Sequence, residues 1–217
     1  MPVWISKSIF KFMNLKNLDL KIVIRIKWLL FLLALLPLVK LTLLGFQDQL
    51  GANPIEKITR TTGYWTITLL MICLSVTPLR RLLGWPWLVR FRRMLGLFAF
   101  FYASLHFLTY LVIDQFFDWQ SIVQDLTKRP YIMVGFPSYV LLIPLAITSN
   151  DRMTRWLGGK RWRTLHRLVY LIAIGGVVHY WWLVKKDLTN PVTFATILTL
   201  LFGLRIYAWL EKAKVAH

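Results

Sequence analysis

Six stretches of the chain stay apolar for close to the ~20 residues a helix needs to cross a lipid hydrocarbon core, and the charged residues gather between them. They run from Ile26 to Phe46, Gly63 to Leu79, Met94 to Ile113, Tyr131 to Thr148, Leu165 to Val184 and Val192 to Leu210. The second is shorter and weaker than the rest. Backbone polar groups in lipid must be satisfied within the segment itself, so such runs predict helices. The pattern predicts an all-α membrane protein, a six-transmembrane-helix bundle with short connections and no folded extramembrane domain. Its parts are a basic N-terminal segment (1–25), the six-helix domain (26–211) and a short tail (212–217). The first run follows basic residues, as a signal core does, but it is too long for one and Gln47-Asp48-Gln49 offers no small-residue cleavage site. It is expected to remain as a helix.

Charge orients the bundle. Lys7, Lys11, Lys16, Lys21 and Arg25 precede the first run. Arg80, Arg81, Arg90, Arg92 and Arg93 fill the second gap, and Arg152, Arg155, Lys160, Arg161 and Arg163 the fourth. The other gaps hold two basic residues each and most of the acids, among them Asp48, Glu56, Asp114, Asp118, Asp125 and Asp187. The positive-inside rule then predicts both termini in the cytoplasm. Trp85 and Trp87 fall at the inner boundary, and Trp119, Trp181 and Trp182 near the outer one, where indole rings anchor at headgroup level.

Composition agrees with this frame. The chain is 57% hydrophobic and 17% charged, against about half and a quarter in soluble domains. The net charge of +18 would suggest nucleic acid in a soluble protein, but here it lies in short gaps, which fits topology signals and anionic membrane lipid and argues for no nucleic acid. The single cysteine, Cys73, sits in an apolar run; no CxxCH attachment exists, so any haem is non-covalent. Lys40 and Arg205 are cations inside runs. Both can snorkel, and Arg205 could alternatively pair with a haem propionate or a quinone.

Chemistry concentrates in histidines. His217 ends the chain; His106, His166 and His179 lie in or at the ends of the third and fifth runs. Ionisable side chains in a span point to function. His106 is thirteen residues beyond Arg93, a rise of about 19 Å, and His179 reaches a similar depth in its own run. His166 lies thirteen residues before His179, about 19 Å nearer the cytoplasm. His106 and His179 can therefore face each other, as axial ligands of a haem b. Zinc would want three or four ligands, and no mid-membrane carboxylate supplies them. His166 marks an inner level, as a second haem ligand or a relay. On an ideal helix His166 and His179 would lie about 140° apart, so a distortion at Gly175-Gly176 is expected.

The stretches VTPLRR (Val76–Arg81), RRMLGLFAFFYASLHFLTY (Arg92–Tyr110), TKRPYIMVG (Thr127–Gly135), LAITSN (Leu145–Asn150) and WRTLHRLVYLIAIGGVVHYWW (Trp162–Trp182) together resemble the MsrQ (YedZ) family, haem-binding membrane subunits of MsrPQ protein-methionine-sulfoxide reductase systems. The similarity covers nearly everything after about residue 25. It implies a ferric-reductase-like transmembrane domain in the bacterial inner membrane. It also implies electrons entering from the quinone pool or a cytosolic flavin reductase and leaving to MsrP, a periplasmic molybdopterin subunit that reduces methionine sulfoxide. The family's haem histidines map onto His106, His166 and His179, and FMN is implied without an assignable site. Related oxidase cores carry a second His on the third helix; here Arg92 and Arg93 stand at that level. An inner haem would thus be five-coordinate, use another ligand or be absent. A six-helix transporter and a non-redox membrane anchor remain as alternatives; the first lacks a charged pathway, and the second leaves three histidines unexplained.

Overall fold

The computed structural model describes residues 18–215, and every regular element among them is helical. His217 and residues 1–17, with Lys7, Lys11 and Lys16, lie outside the described residues. Helix α1 spans Leu20–Phe46 and is capped by Asp19. Helix α2 spans Pro54–Leu83. Helix α3, Val89–Leu108, follows a 3-10 turn at Pro86–Leu88 and continues into a π-helical turn at Thr109–Asp114. The remaining helices are α4 (Trp119–Lys128), α5 (Pro130–Ile147), α6 (Asp151–His166), α7 (Leu168–Leu183) and α8 (Thr189–Val215).

Among the described residues five segments are long and apolar enough to cross a membrane: Leu20–Phe46, Pro54–Leu83, Pro86–Asp114, Pro130–Ile147 and Thr189–Glu211. The sixth apolar segment, α7, has 16 residues, about 24 Å of helix. The second segment is far longer than its apolar core because its stops lie outside that core. Asn53 caps the N-terminus by accepting from the Glu56 N–H, Pro54 takes the first position, and Gly84 ends the helix in the left-handed region at φ 69°.

Two gaps expected to be loops are helices. Asp118 starts α4 by accepting from the N–H groups of Gln120 and Ser121, and Asn150 starts α6 by accepting from Met153 N–H. The basic residues of the fourth gap therefore lie on a helix, which kinks where Gly158 takes φ 73°. The expected distortion at Gly175-Gly176 is not there, since α7 passes through both in regular form. The break comes at Arg167, where hydrogen bonds tighten to three-residue spacing (Arg167 N–H to Thr164 O, 3.1 Å; Tyr170 N–H to Arg167 O, 3.0 Å). His166 thus ends α6 while His179 sits in α7, so the 140° phase of one ideal helix does not relate them. Gly175 serves close packing instead: a Cβ there would overlap Ser138 of α5.

The most extensive helix pairings are α2 with α3 and α5 with α7. Tyr102 of α3, 1% exposed, donates its hydroxyl to the Ala34 carbonyl of α1 at 2.8 Å. Much of the outer surface of α1 is apolar and exposed, including Leu29, Leu32, Leu36 and Leu43, as expected of a face turned to lipid. Arg205 of α8 is turned into the bundle, with its buried Nε unpartnered. Its guanidinium donates to the carbonyls of Leu74 and Leu201 and lies 5.4 Å from the Tyr170 ring centre.

Candidate functional site

The two dominant helix pairs each deliver one histidine to a common point. His106 on α3 and His179 on α7 face each other with ring centres 6.0 Å apart and planes at 85°. Each ring is held from behind by the partner helix of its pair. His106 Nδ1 lies 2.9 Å from the Thr59 carbonyl of α2, and His179 Nδ1 lies 2.7 Å from the Tyr131 carbonyl of α5. A carbonyl oxygen only accepts, so both Nδ1 atoms carry the proton. Each Nε2 is left with its lone pair, the form in which imidazole binds a metal.

The space for each ring comes from glycine. A Cβ on Gly63 of α2 would stand 3.1 Å from both Cε1 and Nδ1 of His106. One on Gly135 of α5 would overlap Nδ1 of His179 and come within 2.9 Å of its Cε1. The acceptor and the glycine are four residues apart in both helices, so the same local arrangement occurs twice. Sequence reasoning missed Thr59, Gly63, Tyr131 and Gly135. A readable signal existed in the second case, since Tyr131 and Gly135 both fall in TKRPYIMVG.

His166 is placed elsewhere and bonded differently. The Thr148 hydroxyl lies 2.6 Å from the Pro144 carbonyl and 3.0 Å from His166 Nε2, so that this ring nitrogen is engaged by a side chain. The ring also stacks on Trp162 with centres 4.0 Å apart, and the Trp162 indole N–H donates to Thr148 O at 2.9 Å. As placed, His166 Nε2 faces the Thr148 hydroxyl and not another imidazole. It lines a cavity of about 350 Å³ together with Arg92, Arg93, Phe100, Ser149 and Trp162. Arg93 pairs with Asp151 at its rim, at 2.8 Å. The structure therefore brings two of the three histidines together and leaves the third at a separate cavity of mixed lining.

Among the described residues no three His, Cys, Asp or Glu side chains cluster as a metal site. Two imidazoles alone do not complete a zinc site, which takes three or four protein ligands. They do complete a haem, whose macrocycle supplies the equatorial nitrogens and leaves two axial positions. Two metal–nitrogen bonds of about 2 Å plus two ring radii match the observed separation. The residues present fit that group.

Comparison with known proteins gives the family. Residues 60–177 match the ferric reductase like transmembrane component. The chain is 56% identical over 192 residues to the protein-methionine-sulfoxide reductase heme-binding subunit MsrQ of Herminiimonas arsenicoxydans, across 87% of this chain and 88% of that protein. This chain belongs to the MsrQ family. Further MsrQ relatives come from Ralstonia nicotianae, at 52% identity over 82% of each chain, and Rhodospirillum rubrum, at 52% over 85% of this chain and 88% of its own. The ferric-reductase match spans α3 to α6 and most of α2 and α7; it includes His106 and His166, and His179 lies two residues beyond its end. Membership of the MsrQ family, with several apolar helices, makes the chain a multi-pass membrane protein.

Proposed function

We propose that this chain is the haem b-carrying electron-transfer subunit of a methionine-sulfoxide reductase system in the bacterial inner membrane. It crosses the membrane six times, with α7 as the fifth span and both termini in the cytoplasm. His106 and His179 would hold the haem iron. Electrons enter at the cytoplasmic end, from the quinone pool or a cytosolic flavin reductase, and leave to a periplasmic molybdopterin subunit, MsrP, where methionine sulfoxide is reduced.

The observation that carries this reading is the facing pair of neutral imidazoles, each with its Nδ1 proton on a backbone carbonyl. A bound haem supplies a one-electron couple in a low-dielectric setting. The chain's own residues do the rest. The Thr59 and Tyr131 carbonyls fix the tautomers, and the tight helix pairs hold the rings against rotation. The apolar walls around them exclude water. On the donor side, Arg92, Arg93 and His166 line the cavity that opens where reductant arrives. Arg92 and Arg93 set a positive field there, and His166 with Thr148 and Trp162 can hold and pass a proton.

The relatives' printed names describe heme-binding subunits, which supports the choice of haem. The test is the purified protein in detergent. The expected result is a Soret band with sharp reduced α and β bands, and a haem content of one per chain by pyridine haemochromogen. A folded, colourless preparation reconstituted with excess haemin and still colourless would overturn the reading.

A further inference from the structure

We infer that Gly63 and Gly135 are positioning residues: each opens the path by which a histidine ring reaches the helical carbonyl four residues earlier, and so sets the orientation of an axial ligand. The inference rests on the haem reading of His106 and His179.

The carbonyl of residue i points along the axis towards residue i+4. The Cβ of residue i+4 tilts back towards the N-terminus, over that same carbonyl. An imidazole that bonds the carbonyl directly through a ring nitrogen occupies the place that Cβ would take, as the close approaches at Gly63 and Gly135 show. The structure shows this twice. His106 reaches Thr59 O across Gly63, and His179 reaches Tyr131 O across Gly135. The contacts are made to the rings themselves rather than to the end of a flexible chain. A methyl at Gly135 therefore displaces the imidazole from its carbonyl, and one at Gly63 shifts the ring by a few tenths of an ångström. The two sites are unequal. The Gly135 methyl would overlap His179, whereas the Gly63 methyl only crowds His106 at 3.1 Å.

Three substitutions test this in the full chain, purified in detergent. Gly135→Ala is expected to weaken haem binding by roughly 10–100-fold, the scale of lost outer-shell support for a metal ligand, and to convert low-spin haem towards high-spin. Added imidazole should return part of the low-spin signal by replacing the displaced ring. Gly63→Ala is expected to retain haem, with a shifted midpoint potential and altered low-spin resonances. Gly176→Ala is the control, because a Cβ there meets nothing within 4 Å, and it should match wild type.

Wild-type spectra and potentials in both Gly63→Ala and Gly135→Ala would overturn the inference. So would equal loss in Gly176→Ala, which would make the effect general helix packing. If Gly135→Ala does not assemble, Gly63→Ala decides alone, since its crowding is mild. A wild-type protein whose low-spin signal survives His106→Ala and His179→Ala would instead sink the underlying haem assignment.

Discussion

Arg205 in α8 donates to the carbonyl of Leu74 in α2, and that carbonyl is the helical acceptor which Pro78 leaves without an amide partner. An intramembrane arginine and an intramembrane proline thus explain each other. Replacing Arg205 with Met should cost about 1–2 kcal/mol, because the Leu74 carbonyl is then orphaned in the bundle interior. Pro78→Ala restores the helical N–H, so Arg205→Met should cost clearly less in that background. Unfolding midpoints of the two single variants and the double variant in detergent measure the coupling. Equal costs in both backgrounds would contradict the pairing.

Tyr102 ties α3 to α1 through a single buried hydroxyl bond to the Ala34 carbonyl. Tyr102→Phe keeps the ring and removes the donor. It should lower stability by about 1 kcal/mol and raise hydrogen exchange in α1 near Ala34, with no change in any haem spectrum. A spectral change with unaltered exchange would be the wrong outcome.

Asp118 caps α4 with three accepted bonds, from Gln120 N–H, Ser121 N–H and the Ser121 hydroxyl. Those bonds, the Ser121 hydroxyl first, hold its carboxyl below the ordinary value. A depressed folded pKa gives a cap that is present above the unfolded value, about 4, and is lost as pH falls through the folded one. Amide exchange across Trp119–Lys128 should therefore accelerate on acidification, and Asp118→Ala should show the fast rate already at neutral pH. Protection that ignores both changes would refute the cap.

His166 shares a hydrogen bond with Thr148 and stacks on Trp162, away from the facing pair. His166→Ala should leave the low-spin signal of the outer site in place while slowing reduction by a quinol analogue or a flavin reductase. Loss of the low-spin signal in this variant would place His166 among its ligands.

The sequence showed the helices and the depth of the histidines because both follow from counting along a chain in lipid. Apolar runs mark spans, and a fixed rise per residue puts His106 and His179 level. What it hid depends on neighbours distant in the chain. Thr59 and Tyr131 act through backbone carbonyls, which carry no side-chain signature. Gly63 and Gly135 look like any small residue in a membrane helix until a ring is seen behind them. Arg205 and Leu74 are 131 residues apart, and nothing local joins them. The break at Arg167 follows from α6 beginning at the Asn150 cap, a polar signal that a reading tuned to apolar runs passes over.

The central claim is that His106 and His179, and not His166, ligate one haem. Its most direct test is the low-temperature electron paramagnetic resonance and reduced absorption spectrum of His106→Ala, His179→Ala and His166→Ala beside wild type, each purified as the full chain. The account predicts low-spin haem in wild type and His166→Ala, and its loss in each of the other two. A low-spin signal that persists in His106→Ala or His179→Ala would contradict it.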